Sequence, residues 1–174
     1  MIEIIQHGNI HEIKLVRPPV NALNFALLDA LTDAVQSAPG NGATGIVLSG
    51  GTKVFSGGLD VPYLLGCDED GLRACWSRFF DAARALAKSP IPVAAAISGH
   101  NPAGGCVLAL CCDYRVMAEG PFRIGLNETR VGLAVPEAIQ YLMRDGDGIG
   151  HLRDNPLPVY GSALALGLAR NRIE

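Results

Sequence analysis

The sequence is short of charged and aromatic residues, and these shortages exclude several classes of protein. Only 18% of the 174 residues are charged and 6% are aromatic, whereas 49% are hydrophobic. The net charge is −3, so there is no overall positive field that would attract nucleic acid. The apolar content is too high for a disordered chain. The composition therefore predicts a folded protein of about one domain that has no nucleic-acid partner.

Long apolar runs, signal-like segments and metal-ligand patterns are also missing. No run approaches the roughly 20 apolar residues that span a bilayer, and the first 18 residues alternate apolar and polar side chains, unlike a signal peptide. The five cysteines are odd in number and form no C-x-x-C pair, which is typical of proteins from a reducing compartment. These absences predict a cytoplasmic protein with no membrane partner and no bound metal.

Strand-like and helix-like patterns alternate along the chain, which predicts an α/β fold. Alternating apolar residues around a Gly-Asn turn indicate a hairpin, and short apolar runs such as GIVLS and VAAAI are typical of buried parallel strands. The predicted strands are 2–6, 10–16, 45–49, 93–97, 114–118 and 122–124. Helices are predicted from the N-cap Asn24 to Pro39, over 69–88 and over 104–111.

Two glycine-rich bends each follow an apolar strand and lead toward a helix. They are FSGGLD at 55–60 and PAGGC at 102–106. Glycine lets a ligand approach the backbone closely, and a helix N-terminus leaves N–H groups unpaired. Two such bends side by side could direct two N–H donors at one oxygen, as in an oxyanion hole for a thioester that becomes an enolate. The alternative is that these glycines only allow turns and close packing.

Glu128 is the candidate proton shuttle. It follows the predicted strand 122–124 in the apolar context IGLNETRVGL, where desolvation would raise the carboxyl pKa toward working pH. The alternative is an exposed loop acid, or an acid in the first turn of a helix.

Five segments in order along the chain carry a resemblance to a known family: RPPVNALN (17–24), FSGGLD (55–60), PAGGC (102–106), CDYRVMA (112–118) and IGLNETRVGL (124–133). Together they resemble the crotonase (enoyl-CoA hydratase/isomerase) superfamily, and look most like its Δ3,Δ2-enoyl-CoA isomerase branch. The resemblance implies a spiral of repeated ββα units over 1–143, with a CoA-ester site. It gives way to a short divergent tail at 144–174 where the family has C-terminal helices, and it implies a homo-oligomer, which is a trimer in the family.

The resemblance also implies roles for individual residues. Gly57 and Gly104 match the two positions whose N–H groups form the oxyanion hole, and Glu128 matches the acid/base glutamate. Hydratases carry a second glutamate where this chain has Val107, which favours isomerisation. The positions implied to contact the CoA thioester are Ser56, Gly58, Leu59, Asp60, Val61 and Asn127, and Arg17 is among the candidates for the CoA phosphates.

The implied activity moves the double bond of 3-enoyl-CoA to give trans-2-enoyl-CoA, as in fatty-acid β-oxidation. No cofactor is expected, since coenzyme A is part of the substrate. Two alternatives stay open at this point. One is another crotonase-type acyl-CoA enzyme, such as a thioester hydrolase, hydratase or lyase. The other is an inactive crotonase-fold subunit, which the divergent tail would favour.

Overall fold

A five-stranded sheet that starts with a hairpin and continues with parallel strands is the framework of the molecule. The computed structural model of the chain describes residues 1–126, 135, 137, 139 and 140. β1 and β2 pair antiparallel, and every later pairing in this sheet is parallel. In spatial order the strands are β1 (Ile2–His7), β2 (Ile10–Leu15), β3 (Gly45–Ser49), β4 (Val93–Ile97) and β6 (Tyr114–Met117).

Four helices connect the strands: α1 (Phe25–Ser37), α2 (Val61–Leu64), α3 (Glu69–Ala87) and α4 (Gly104–Leu110). The first three begin at side-chain caps, in which an Asn or Asp oxygen accepts an otherwise unpaired N–H of the first turn. Asn24 accepts from the N–H of Leu27 at 3.1 Å, and Asp68 accepts from the N–H of Gly71 at 2.8 Å. Asp60 caps α2 in the same way.

The core lies on one face of the sheet, beneath α1, α3 and α4. Alternate residues of β2 and β4 are buried, as expected for strands with one face against helices. All seven residues of α4 are buried. This helix is apolar all round because it lies inside the core and has no solvent-facing side. No helix within the described residues is both long and apolar enough to cross a membrane.

A second set of short pairings brings the segments that follow the main strands together. β5 (Asn101–Pro102) pairs parallel with β7 (Ile124–Gly125). Single bridges join Leu23 to Leu59 and Val54 to His100. These contacts place the FSGGLD bend between the 17–24 segment and the start of α4.

The predicted α/β class is confirmed, and several bounds match the predictions closely. The runs 45–49 and 93–97 are the parallel strands β3 and β4, and 69–88 became α3. The last predicted strand, 122–124, lies instead at Ile124–Gly125. The tail at 144–174 and residues 127–143 lie outside the described residues, apart from positions 135, 137, 139 and 140.

Two short elements, α2 and β5, were not predicted from their local sequence. α2 is four residues long and contains Pro62, and β5 is two residues long and ends at Pro102.

Residues 40–45 have the G-x-G-x-x-G spacing of a dinucleotide-binding motif. They lead from α1 into β3, whereas that motif leads from a strand into a helix.

Candidate active site

The two glycine-rich bends touch each other at Gly58. Its φ is +84°, and an added Cβ would lie 2.9 Å from the Cβ of Ala103 and 3.0 Å from the amide nitrogen of Gly104. Both the left-handed backbone and the lack of space therefore require glycine here. As a result, the backbone of 57–59 lies directly against the start of α4.

Among the four amides of Gly57 to Asp60, three have acceptors within the described residues, and that of Leu59 has none. Gly57 N–H donates to the Val20 carbonyl at 2.7 Å, and Asp60 N–H donates to the Leu23 carbonyl at 3.0 Å. Gly58 N–H donates to the Ser56 hydroxyl at 3.2 Å. Leu59 N–H has no hydrogen-bond acceptor among the described residues.

The parallel bridge between Leu23 and Leu59 explains why the Leu59 N–H has no acceptor within the described residues. Leu23 uses its own N–H and carbonyl to bond Gly58 and Asp60, the two neighbours of Leu59. In such a pairing the N–H of the flanked residue points away from the partner segment. Leu59 N–H therefore points to the side opposite the 17–24 segment.

This hydrogen-bond pattern corrects one predicted role. Gly57 was expected to supply an oxyanion-hole N–H, but that N–H is already bound at 2.7 Å to Val20. A donor that is fully engaged within the protein is not available to a substrate oxygen. The bend offers Leu59 N–H instead, and the sequence could not reveal this because the four consecutive amides of 57–60 differ only in their hydrogen-bond partners in the folded chain.

The second bend supplies the N–H of Gly104. Ala103 precedes α4 with φ 52° and ψ −128°, and its N–H donates to the Gly125 carbonyl at 2.8 Å. Gly104 is the first residue of α4, so its N–H belongs to the helix turn that has no intrahelical acceptor. No described residue accepts this N–H. The role of Gly104 as a second N–H donor stays a prediction.

Close packing explains why position 105, which follows Gly104 in the second bend, is also a glycine. A Cβ at Gly105 would lie 2.2 Å from the side-chain oxygen of Asn101 and 2.8 Å from the Cβ of Ser56. Asn101 is fully buried, and its side-chain amide has no hydrogen-bond partner within the part of the chain that is described. Gly105 therefore serves packing between the two bends, as the alternative interpretation of the glycines proposed.

The structure divides the residues expected to contact CoA into a buried group and an exposed group. Ser56 is completely buried, and its hydroxyl donates to the Asn21 carbonyl at 2.9 Å. It has no surface for a ligand, so its predicted contact with CoA is wrong. Asp60 is also buried, and its carboxylate contacts Arg17 and the N–H of Tyr63. Val61 is 58% exposed.

Glu128 and Asn127 lie outside the described residues, so their predicted roles stay predictions. The described chain ends just before them at three buried residues, Ile124 to Leu126. Gly125 accepts a hydrogen bond from Ala103, the residue before Gly104. The segment that leads to Glu128 is therefore attached directly to the second bend.

Within the described part of the bends, the charged side chains form one ion pair. Arg17 Nη2 lies 2.6 Å from Asp60 Oδ2, with the two side chains 28% and 11% exposed. Arg17 was a candidate for the CoA phosphates, but its guanidinium is held by Asp60 and by the Ala22 carbonyl at 2.8 Å. Behind the site, burial raises the pKa of the Cys111 thiol at the end of α4 to about 11, so this thiol is protonated and unreactive at neutral pH.

The sequence matches the profile of the enoyl-CoA hydratase/isomerase family over residues 6–150. The chain belongs to this family. It is 34% identical over 139 residues to the mouse mitochondrial enoyl-CoA delta isomerase 1, an alignment that covers 78% of this chain and 48% of the relative. It is 36% identical over 137 residues to a probable enoyl-CoA hydratase, echA6, of Mycobacterium bovis, covering 78% of this chain and 54% of that protein.

Solved structures agree with this family membership. The human mitochondrial delta3-delta2-enoyl-CoA isomerase superposes with a TM-score of 0.89 at 27% identity, covering 95% of this chain and 68% of that one. The family member described here therefore has the crotonase fold. It spans about half the length of the curated relatives it matches.

Proposed function

We propose that this family member is an isomerase that converts 3-enoyl-CoA to trans-2-enoyl-CoA. The observation that carries the proposal is the pair of N–H groups, on Leu59 and Gly104, that belong to touching bends and lack acceptors among the described residues. Two amides without partners are suited to bind a thioester oxygen as it gains negative charge. Because they are backbone groups fixed by the fold, little reorganisation is needed during the reaction.

The base in this proposal is Glu128. Its carboxylate takes a proton from C2 of the substrate, and the electron pair moves onto the thioester oxygen to give a dienolate. The N–H groups of Leu59 and Gly104 stabilise that oxygen. The protonated Glu128 then returns the proton to C4, which places the double bond between C2 and C3 and restores the carboxylate. The reaction consumes no cofactor.

Val107 supports isomerisation over hydration. Addition of water needs a second carboxylate to position and deprotonate the water, and hydratases of the family have it at this position. Val107 is an apolar residue buried in α4, and it can neither bind nor deprotonate water. A single carboxylate is sufficient to move a proton from C2 to C4, and an apolar wall helps to exclude water from the dienolate.

Hydration of 2-enoyl-CoA is the second candidate, because the chain is as similar to a probable mycobacterial hydratase as to the mouse isomerase. The two reactions change ultraviolet absorbance in opposite directions. Isomerisation creates the conjugated 2-enoyl thioester, whereas hydration removes it. Parallel assays with 3-enoyl-CoA and 2-enoyl-CoA therefore separate the candidates directly.

The decisive variant is Glu128→Gln, which keeps the shape of the side chain and removes the base. A positioned acid/base contributes roughly 10²–10⁴-fold to rate, so we expect isomerisation to fall by at least about 100-fold. Binding of the CoA ester, measured by calorimetry, should change little. Full activity in this variant would refute the assignment of Glu128, and rapid hydration of 2-enoyl-CoA by the unaltered chain would refute the argument from Val107.

A further inference from the structure

The FSGGLD bend is attached to the 17–24 segment by four side chains, Arg17, Asn21, Ser56 and Asp60, which we call the bend clamp. These residues are separated by up to 43 positions in the sequence, and the family comparison assigns none of the clamp's contacts. The clamp holds the bend on both sides of Leu59.

Asn21 makes the larger share of these contacts. Its Nδ2 donates to the Phe55 carbonyl at 2.9 Å, and its Oδ1 accepts from the N–H of Arg17 at 2.7 Å. Its backbone carbonyl accepts from the Ser56 hydroxyl at 2.9 Å. The residue is only 5% exposed and has φ 49°, a left-handed conformation that asparagine tolerates better than most residues.

The other end of the bend is held by the ion pair between Arg17 and Asp60. The guanidinium bonds Asp60 Oδ2 at 2.6 Å and the Ala22 carbonyl at 2.8 Å. Since Asp60 also bonds the N–H of Tyr63 at 3.1 Å, the same carboxylate fixes the bend to the start of α2. The bend is thus held at Phe55 and Ser56 by Asn21, and at Asp60 by Arg17.

We propose that Asn21 is a positioning residue for the Leu59 N–H donor, acting together with the Arg17–Asp60 pair. This inference rests on the proposed function, in which that N–H binds the thioester oxygen. The clamp holds the bend against the 17–24 segment, where Leu23 bonds both neighbours of Leu59, and the Leu59 N–H then points away from that segment and has no acceptor among the described residues. Misplacement of a reacting or stabilising group by about 1 Å can cost on the order of 100-fold in rate, so loss of the clamp acts on catalysis before it acts on substrate affinity.

Two variants test the role of the Asn21 side chain. Asn21→Gly removes both side-chain hydrogen bonds while keeping a residue that accepts the left-handed backbone. Asn21→Asp keeps the size of the side chain and the acceptor for Arg17, but it places a carboxylate oxygen against the Phe55 carbonyl. Asn41→Gly is the matched control, since Asn41 lies in an exposed turn after α1 and makes no contact with the clamp.

The readout is the absorption spectrum of a bound 2,4-dienoyl-CoA. Hydrogen bonds to its thioester oxygen draw electrons along the diene and shift its absorption to longer wavelength. We expect this red shift with the unaltered chain and with Asn41→Gly, and a shift reduced by at least half with both Asn21 variants. For 3-enoyl-CoA, we expect kcat to fall by about 10- to 100-fold in the Asn21 variants while KM changes by less than about threefold.

An unchanged red shift and unchanged kcat in Asn21→Gly would overturn the inference. Amide hydrogen exchange at Gly57 and Asp60 provides a readout that needs no ligand. Both amides should exchange faster in Asn21→Gly than in Asn41→Gly, and equal rates would also overturn the inference. If the unaltered chain binds the dienoyl-CoA without a red shift, the proposed function fails, and the exchange rates still decide whether Asn21 holds the bend.

Discussion

Replacing Gly58 by alanine tests the contact between the two bends, and the chain contains a matched control. Gly58 has φ +84° and Gly42 has φ +86°, so alanine is placed in the same left-handed conformation at both positions. An added Cβ at Gly42 meets nothing within 4 Å, whereas at Gly58 it meets the Cβ of Ala103 at 2.9 Å and Gly104 N at 3.0 Å. The difference between the two variants therefore isolates the cost of the contact.

The expected magnitudes follow from these geometries. A left-handed alanine costs about 1–2 kcal/mol, and this cost applies to both Gly42→Ala and Gly58→Ala. Inserting a methyl group into a packed contact costs typically about 1–3 kcal/mol more, and this cost applies to Gly58→Ala alone. We expect Gly58→Ala to be less stable than Gly42→Ala by about 1–3 kcal/mol, and to lose the red shift of bound dienoyl-CoA because Leu59 and Gly104 are pushed apart.

Urea unfolding followed by tryptophan fluorescence measures this difference. Trp76 is the single tryptophan, and its ring lies 6.0 Å from those of Phe79 and Phe80 on α3, so its emission reports the loss of core packing. With an m-value of about 2 kcal/mol per molar urea, the unfolding midpoints of the two variants should differ by roughly 0.5–1.5 M. Equal midpoints, or an unchanged dienoyl-CoA spectrum in Gly58→Ala, would refute the contact between the bends.

Two further predictions concern titrating groups away from the site. The Ser49 hydroxyl lies 2.6 Å from a carboxylate oxygen of Glu12 and, with His7, lowers the pKa of that carboxyl. The stability that Glu12 contributes to the fold is therefore present above its ordinary pKa of 4.5 and is lost as pH falls through the lowered pKa. Ser49→Ala should raise the Glu12 pKa in a ¹³C NMR titration and make unfolding less dependent on acid pH; an unchanged pKa would contradict this. Burial raises the pKa of Cys111 to about 11, so Cys111 should resist iodoacetamide in the native chain while the partly exposed Cys67 is alkylated. The contribution of Cys111 to stability should decline as pH rises from about 9 toward 11. Labelling of both cysteines at the same rate would contradict the burial of Cys111.

Local patterns predicted the regular elements well because their signals lie within a few neighbouring residues. The runs GIVLS and VAAAI became β3 and β4 with the predicted bounds, and Asn24 caps α1 as predicted. The glycine bends were also placed correctly in the chain. β5 was missed because it depends on pairing with the distant β7, and α2 was missed because it is only four residues long and contains a proline.

The same distinction explains why the sequence identified the bend and yet assigned the wrong donor within it. Four consecutive residues, from Gly57 to Asp60, each carry an N–H, and nothing in FSGGLD distinguishes these groups chemically. Their partners decide which one is available, and three of those partners are Val20, Leu23 and a hydroxyl on the bend itself.

The proposed oxyanion donor is therefore defined by the hydrogen bonds that its neighbours make. Leu23 bonds both residues that flank Leu59 through its backbone, which turns the Leu59 N–H away from the 17–24 segment. It follows that substitution of Leu59 itself by another apolar residue should matter less for the donor than changes at Asn21, because the backbone position of Leu59 is fixed from outside. In the proposed mechanism, the residues that control the catalytic geometry without contacting the substrate therefore lie in the 17–24 segment.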